Sequence, residues 1–483
     1  MSSVGAYGPG IRVVRDSGVY IVGDVLRIAL AWIMLPLYAT YLQAAEYGIV
    51  AAAATVGAIF VVVSQLGLSA VVVRCCFDHE GEQRRKFLFS LWILIMAVAA
   101  ILVIVAELAG EWIFARCLPG VAYQPYIRLA ILNAWLSSVL VVPLGFLRAD
   151  SRPVAYVCVS LSGVLMTVLS AWYLLVIAGW ATRGALWGQI LGTASAAALG
   201  ATLLISYTGL GRLAKGGLGS ALRLGVPMLP HQLSSWVLNV SDRWLLVYFT
   251  SLSAVGVYSL GYQIGTVVIV IAAAFNLAFG PLFYAWWQEP SGLAFLSRVA
   301  TWYWVGLVAL GLAVSLLAGP VLDIMGEGAY SGAVRVVPWV AAAGVVNGFY
   351  FIPNTVLMAN KDVIRLPLYT LLAAVVNVGL NLLLIPKLGM MAAAYATLAG
   401  YLLLAGLTWA DARRKWPFPY EYRKMALAAA VALAIYSVAS SFTVGAGWAG
   451  LVVRTGWAFG GFGLLVLGTL EVGGVGRRLT RSA

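Results

Sequence analysis

GVPMLPHQLSSWVLNVSDRW, residues 225–244, is the stretch on which the reading of the fold turns. It lies inside a run long enough to cross a bilayer, yet it holds two prolines, a histidine, a glutamine, an asparagine, an aspartate and an arginine. At about 100° per residue, His231, Gln232, Ser235, Asn239, Asp242 and Arg243 share about one third of the helix circumference. Leu233, Trp236, Val237, Val240 and Trp244 occupy the opposite arc. The load is therefore one polar stripe on a membrane helix. Ionisable side chains are costly in hydrocarbon and turn toward a bundle interior or toward water. Pro227 and Pro230 precede the stripe and predict a bend in its inner third.

The surrounding sequence makes this helix one of many. Of 483 residues, 63% are hydrophobic and 10% are charged; a soluble chain carries about 25% charged residues. The apolar residues form blocks of roughly 20, the length of a membrane-crossing helix. Strands of a membrane barrel alternate over about 10 residues, and that pattern is absent. The chain is read as an all-α polytopic membrane protein with about fourteen transmembrane helices. They lie near residues 18–41, 47–73, 87–108, 126–147, 153–177, 184–207, 222–248, 254–285, 296–318, 334–358, 364–385, 389–410, 425–443 and 449–470.

The net charge of +13 has a topological explanation, because cytoplasmic loops collect Lys and Arg. With the N-terminus inside, most basic residues fall in inner segments, among them Arg12, Arg15, Arg84, Arg85, Lys86, Arg212, Arg413 and Arg477. An even number of spans returns the C-terminus to the same side. A nucleic-acid partner needs a soluble basic surface, and none is evident. Cys75, Cys76, Cys117 and Cys158 show no zinc-binding spacing. No cleavable signal peptide is evident before the first span. With short loops, no long catalytic loop and no nucleotide-binding loop, the chain is not expected to be an enzyme.

An internal repeat organises the spans. YLQAAEYGIV from Tyr41 corresponds to YFTSLSAVGVYSL from Tyr248, FLRADSRP (146–153) to VLMANKDV (356–363), and GALWGQILG (184–192) to AAAYATLAG (392–400). Both copies begin on the same side, so the repeat is parallel. This predicts two six-helix lobes, residues 1–210 and 211–415. Residues 416–483 then supply two additional transmembrane helices and a cytoplasmic tail.

LPLYATYLQAAEYGI, SWVLNVSDRWLLVYFTSLSAVGVYSLGYQIG, AFNLAFGPLFYAW and LNLLLIPKLGMMAAAYATLAGY together resemble the polysaccharide-transporter branch, which includes Wzx-type O-antigen flippases, of the multidrug/oligosaccharidyl-lipid/polysaccharide exporter superfamily. The resemblance covers most of the first twelve spans. It implies a two-lobed fold and alternating access. The implied activity moves undecaprenyl-pyrophosphate-linked oligosaccharide from the cytoplasmic to the outer leaflet, for O-antigen, capsule or exopolysaccharide synthesis. A lipid II flippase and a cation-coupled multidrug antiporter are the alternatives.

Such cargo needs fixed cations for its pyrophosphate, for which the arginine fork is suited, and amides and hydroxyls for its sugars. Asp24 and Arg27 share a face of the first span, with Arg27 about 15 Å deep. They are read as a cavity cation and its partner, or as a structural ion pair. His231, Gln232, Asn239, Asn347 and Asn354 complete the expected central cavity. His231 is read either as a pH-sensitive switch or as a hydrogen-bonded packing residue. Asp242 and Arg243, about 16 Å further along their helix, are read as a gate or scaffold pair. Arg74, Arg148, Arg152, Arg298 and Arg365 are candidate inner-mouth cations, although topology alone explains each. No metal or cofactor is expected; coupling to a proton or sodium gradient is. The expected partners are the lipid-linked oligosaccharide pyrophosphate, membrane lipids, a polysaccharide polymerase and chain-length machinery. The expected setting is a monomer in the bacterial inner membrane, with both termini cytoplasmic.

Overall fold

A computed structural model of the chain describes residues 32–209, 218–325, 328–442 and 447–479, with isolated positions outside these ranges. Asp24 and Arg27 lie outside the described residues. The described chain is helical, and twelve of its helices are long and apolar enough to cross a membrane. The first expected span is described chiefly over 32–41 (α1). The seventh, laden with polar residues, is not among the twelve.

The chain forms two compact units, Met1–Trp236 and Val237–Ala483. The first holds α1, α2 (Ala44–Ser64), α3 (Ser69–Asp78), α4 (Gly81–Cys117), α5 (Arg128–Val139), α6 (Val141–Ala149), α7 (Pro153–Trp172), α8 (Ala181–Thr208) and α9 (Leu218–Gly225). It also holds the start of α10 (Leu229–Phe249). Its buried core includes Leu68, Phe87, Leu91, Ile95, Phe146, Tyr156 and Val159. Close approach of α7 and α8 needs small residues, as is usual where lipid supplies no hydrophobic drive. A Cβ on Gly192 would run into Thr167 and the Gly163 carbonyl. The Ser170 hydroxyl donates across the contact to the Gly188 carbonyl at 3.2 Å.

The expected span 47–73 is two helices, α2 and α3. Leu66 and Gly67 between them have φ of 49° and 71°, outside the helical region. Gly67 faces Gly225 so closely that a Cβ would overlap the Gly225 carbonyl. Gly225 in turn ends α9, and a 3₁₀ turn over Val226–Met228 leads into α10. The bend expected from the prolines thus falls at Pro227, against the break in the second span. The expected spans 87–108 and 296–318 prove longer, as Gly81–Cys117 and α13 (Pro290–Met325). The first gains the charged turn GEQRRK at its start, and the second gains PSGLAF and GPVLDIM at its two ends.

The second unit holds the rest of α10, then α11 (Leu252–Gly265), α12 (Val267–Trp286), α13, α14 (Ala333–Ala359), α15 (Leu366–Leu388), α16 (Met390–Lys415), α17 (Tyr422–Ser441) and α18 (Gly447–Leu479). Its core centres on α13. The Tyr303 ring stacks on Phe275 at 3.7 Å, and its hydroxyl donates to the Gly348 carbonyl at 3.2 Å. The last two helices pack on the same element. Trp304 Nε1 donates to the Met425 carbonyl at 3.0 Å, and Arg454 Nη1 to the Leu316 carbonyl at 3.3 Å.

The repeat is visible in the backbone. At the α6–α7 turn, Asp150, Ser151 and Arg152 donate their N–H groups to Phe146, Arg148 and Leu147. At the α14–α15 turn, Asn360, Lys361 and Asp362 donate to Val356, Met358 and Leu357. Ser151 and Lys361 have φ of 51° and 58°. The next equivalent pair, Ala181 and Gly389, has φ of 45° and 59°.

Candidate functional site

The polar half of α10 that falls in the second unit builds a buried charge network. Asp242 is 1% exposed. Its Oδ1 accepts from the backbone N–H of Arg243 at 2.8 Å and from Arg243 Nη1 at 3.1 Å. Its Oδ2 accepts from the Tyr258 hydroxyl of α11. The guanidinium also donates to the Asn239 carbonyl at 3.0 Å and lies 4.2 Å from the Tyr262 ring centroid. Asn239 Oδ1 accepts from the Tyr401 hydroxyl of α16 at 2.7 Å. Three helices are thus joined by one aspartate, one arginine, one amide and three tyrosines.

This network is saturated. A buried carboxylate holding three donors meets the requirement that buried charge be both paired and hydrogen-bonded. Removing one partner from such a pair costs about 3–5 kcal/mol, because the other charge stays buried. The arrangement locks α10, α11 and α16 together. Tyr258 and Tyr262, one helical turn apart, carry no marker in the sequence beyond that spacing.

The remaining expected site residues are dispersed. In the first unit, Gln232 Nε2 donates to the Ser69 hydroxyl at 3.2 Å, which ties α10 to the start of α3. His231, beside it, is half-buried, and its Nδ1 is buried with no hydrogen-bond partner among the described residues. In the second unit, Asn347 is buried and Asn354 half-buried on α14. Neither hydrogen-bonds to the Asp242 network.

The candidate cations differ from one another. Arg74 on α3 and Arg298 on α13 are exposed, and Arg298 Nε donates to its own helix at Ala294. Arg365 approaches Asp411 at 3.5 Å. Lys415 meets Asp411 at 3.2 Å and Asp362 at 2.5 Å. Here two acids offset two bases.

In the first unit, Arg152 pairs with Asp150 at 2.6 Å. Arg148 lies 4.7 Å from the Tyr156 ring centroid and donates to its hydroxyl. Arg84 of α4, which the sequence reading did not place in the site, joins Asp150 at 3.2 Å. Only the tertiary structure brings α4 to this turn.

Among the described residues the architecture is all-helical, with twelve helices long and apolar enough to cross a membrane, in two compact units. A model of the family described as "Polysaccharide biosynthesis protein" matches residues 13–286, more than half of the chain, and the chain belongs to that family. Its structure is similar to a lipid II flippase, MurJ, in an inward closed conformation. The TM-score is 0.74 at 12% identity, over 92% of this chain and 97% of that one. It is also similar to an inward-facing multidrug resistance MATE transporter of the MOP superfamily, with a TM-score of 0.66 at 14% identity, over 80% and 94%. The MATE transporter VcmN of Vibrio cholerae in its bent form gives 0.54 at 14% identity, over 83% and 96%. Compared with curated protein sequences, the chain has no significant match.

Proposed function

We propose that the protein is a flippase that carries undecaprenyl-pyrophosphate-linked oligosaccharide from the cytoplasmic to the outer leaflet of a bacterial inner membrane by alternating access. Both termini are cytoplasmic in this reading. The observation that carries it is the family match over residues 13–286. The paired helical bundle supports it, because the fold is shared with a lipid II flippase. Nothing in such a cycle needs a catalytic residue. The chain must bind a phosphate-linked sugar on one side, exclude it from hydrocarbon and release it on the other.

Arg27 takes the pyrophosphate in this proposal, with Asp24 as its partner; sequence alone places them in the first span. The half-buried His231 is the side chain through which a proton gradient would drive the cycle. Sodium is the other candidate ion. The Asp242–Arg243 pair is a scaffold, because its donors and acceptors are already engaged within the unit.

A lipid II flippase is the second reading, favoured by the TM-score of 0.74 to such a protein. Deletion of the gene tests both. Undecaprenyl-linked oligosaccharide should accumulate on the inner leaflet, and surface polysaccharide should be lost. Expression of Arg27→Ala, inserted at normal levels, should not restore it. Restoration would remove Arg27 from the proposal, and accumulation of lipid II instead would install the second reading.

A further inference from the structure

Four helix ends meet at one end of the first unit. Arg84 and Arg85 lie near the start of α4, Phe146 and Arg148 near the end of α6, Asp150 and Arg152 in the turn that follows, Tyr156 at the start of α7 and Tyr207 at the end of α8. Phe146 and Tyr207 stack with centroids 4.4 Å apart. Arg84 lies 5.7 Å and 5.8 Å from those two rings. Arg85 lies 5.3 Å from Tyr207, and Arg152 lies 5.6 Å from Phe146.

One carboxylate, Asp150, faces these guanidiniums, and it pairs with Arg84 and Arg152. Arg85 and Arg148 have no acidic partner among the described residues. Arg84 Nε is buried and has no acceptor there. Gathered cations repel one another and raise the local potential felt by an anion. The turn does not require them, because its repeat counterpart folds identically with Met358, Asn360 and Asp362 at the equivalent positions.

A cavity of about 440 Å³ reaches the same end of the unit at Arg148 and Tyr156. Arg148 and Tyr156 line one end, and Leu140, Leu144, Val159 and Val164 line its length beside serine and threonine side chains, between α5–α6, α7 and α8. Arg148 and Ser137 are 11 residues apart on one continuous span, so the cavity runs about 16 Å along it. That is roughly half the hydrocarbon thickness. Ser137 and Thr167 turn their hydroxyls to their own helices. The hydroxyls of Ser160 and Thr193 have no partner among the described residues.

We propose that this groove is a docking site for the polyprenyl pyrophosphate head of the cargo, entered before translocation. The proposal rests on the flippase reading above. The guanidinium of Arg148, which has no acidic partner among the described residues, takes the phosphate oxygens, a contact for which the arginine fork is well shaped. The first isoprene units lie along the groove toward the middle of the membrane. Two features favour this occupant over an ordinary phospholipid of the same leaflet. The head is multiply charged and meets a guanidinium with no acidic partner at the mouth, and the groove follows one helix track, which suits one chain better than two.

The test uses the full-length protein in detergent and three probes: undecaprenyl pyrophosphate, inorganic pyrophosphate and phosphatidylglycerol. Wild type should bind undecaprenyl pyrophosphate. Arg148→Gln should weaken that binding by about tenfold or more, with an unchanged melting temperature. Arg148→Lys should restore part of it. Ser160→Leu fills the groove without touching the charge, so it should weaken undecaprenyl pyrophosphate and spare inorganic pyrophosphate. Wild-type affinity in both Arg148→Gln and Ser160→Leu overturns the proposal, as does equal competition by phosphatidylglycerol, which makes the groove a general anionic lipid site. Flipping by the same preparations in proteoliposomes separates the two claims. Wild type and variants that flip and bind alike retain the flippase reading and end the groove's role. A wild type that binds through Arg148 yet moves no lipid keeps the groove and ends that reading.

Discussion

The α6–α7 and α14–α15 turns have the same backbone and opposite electrostatics. Each closes with three N–H groups donated to equivalent carbonyls and a central residue at positive φ, Ser151 or Lys361. Near the first, Asp150 pairs with Arg84 and Arg152, while Arg85 and Arg148 lie against tyrosine rings with no acidic partner among the described residues. Around the second, Asp362 and Asp411 offset Lys415 and Arg365. Deeper in the second unit, Asp242 and Arg243 offset each other again. Paired charges hold helices together, whereas unpaired ones of a single sign invite a ligand. The two units therefore use similar residue types for different work.

The largest expected effect tests the paired side. Asp242→Ala leaves the Arg243 guanidinium, whose side chain is 13% exposed, without its carboxylate. It should cost about 3 kcal/mol or more, read as a large fall in melting temperature. Asp150→Ala should cost about 1 kcal/mol or less, because the carboxylate is itself 20% exposed and its partner Arg152 is 52% exposed. Equal losses would break the contrast between the units.

Next in size is activity. Arg148→Gln with Arg152→Gln should lower flipping about tenfold at constant melting temperature. Arg365→Gln should change flipping by about twofold or less, because its side chain is 58% exposed and its partner Asp411 keeps Lys415. A larger loss from Arg365→Gln than from the double change would reverse the assignment.

The smallest effect concerns the shared backbone. Ser151→Gly and Lys361→Gly each relieve a left-handed residue, a conformation that glycine tolerates without a Cβ penalty. Each should raise stability by about 0.5–1 kcal/mol, and by similar amounts. A gain at one turn alone would show that the two turns are strained differently.

Much of this fold could be read from the chain, because apolar blocks of membrane-crossing length need no tertiary information. The repeat was legible for the same reason: FLRADSRP and VLMANKDV keep their spacing although their charges diverge. The break at Leu66–Gly67 was hidden, since Val61–Val63 and Val71–Val73 are apolar on both sides and only the approach of Gly225 explains it. The charge networks were legible one residue at a time. Nothing local says that Arg84 reaches Asp150, or that Tyr258 and Tyr401 close on the stripe of α10. Arg365 looked like a free cation until Asp411 came beside it.

The most direct measurement places the purified protein in vesicles with a labelled undecaprenyl-pyrophosphate oligosaccharide in one leaflet and follows its arrival in the other. Labelled lipid II runs in parallel. The expected result is protein-dependent transfer of the oligosaccharide, faster than that of lipid II. Transfer no faster than in protein-free vesicles, or a preference for lipid II, would contradict the flippase assignment made here.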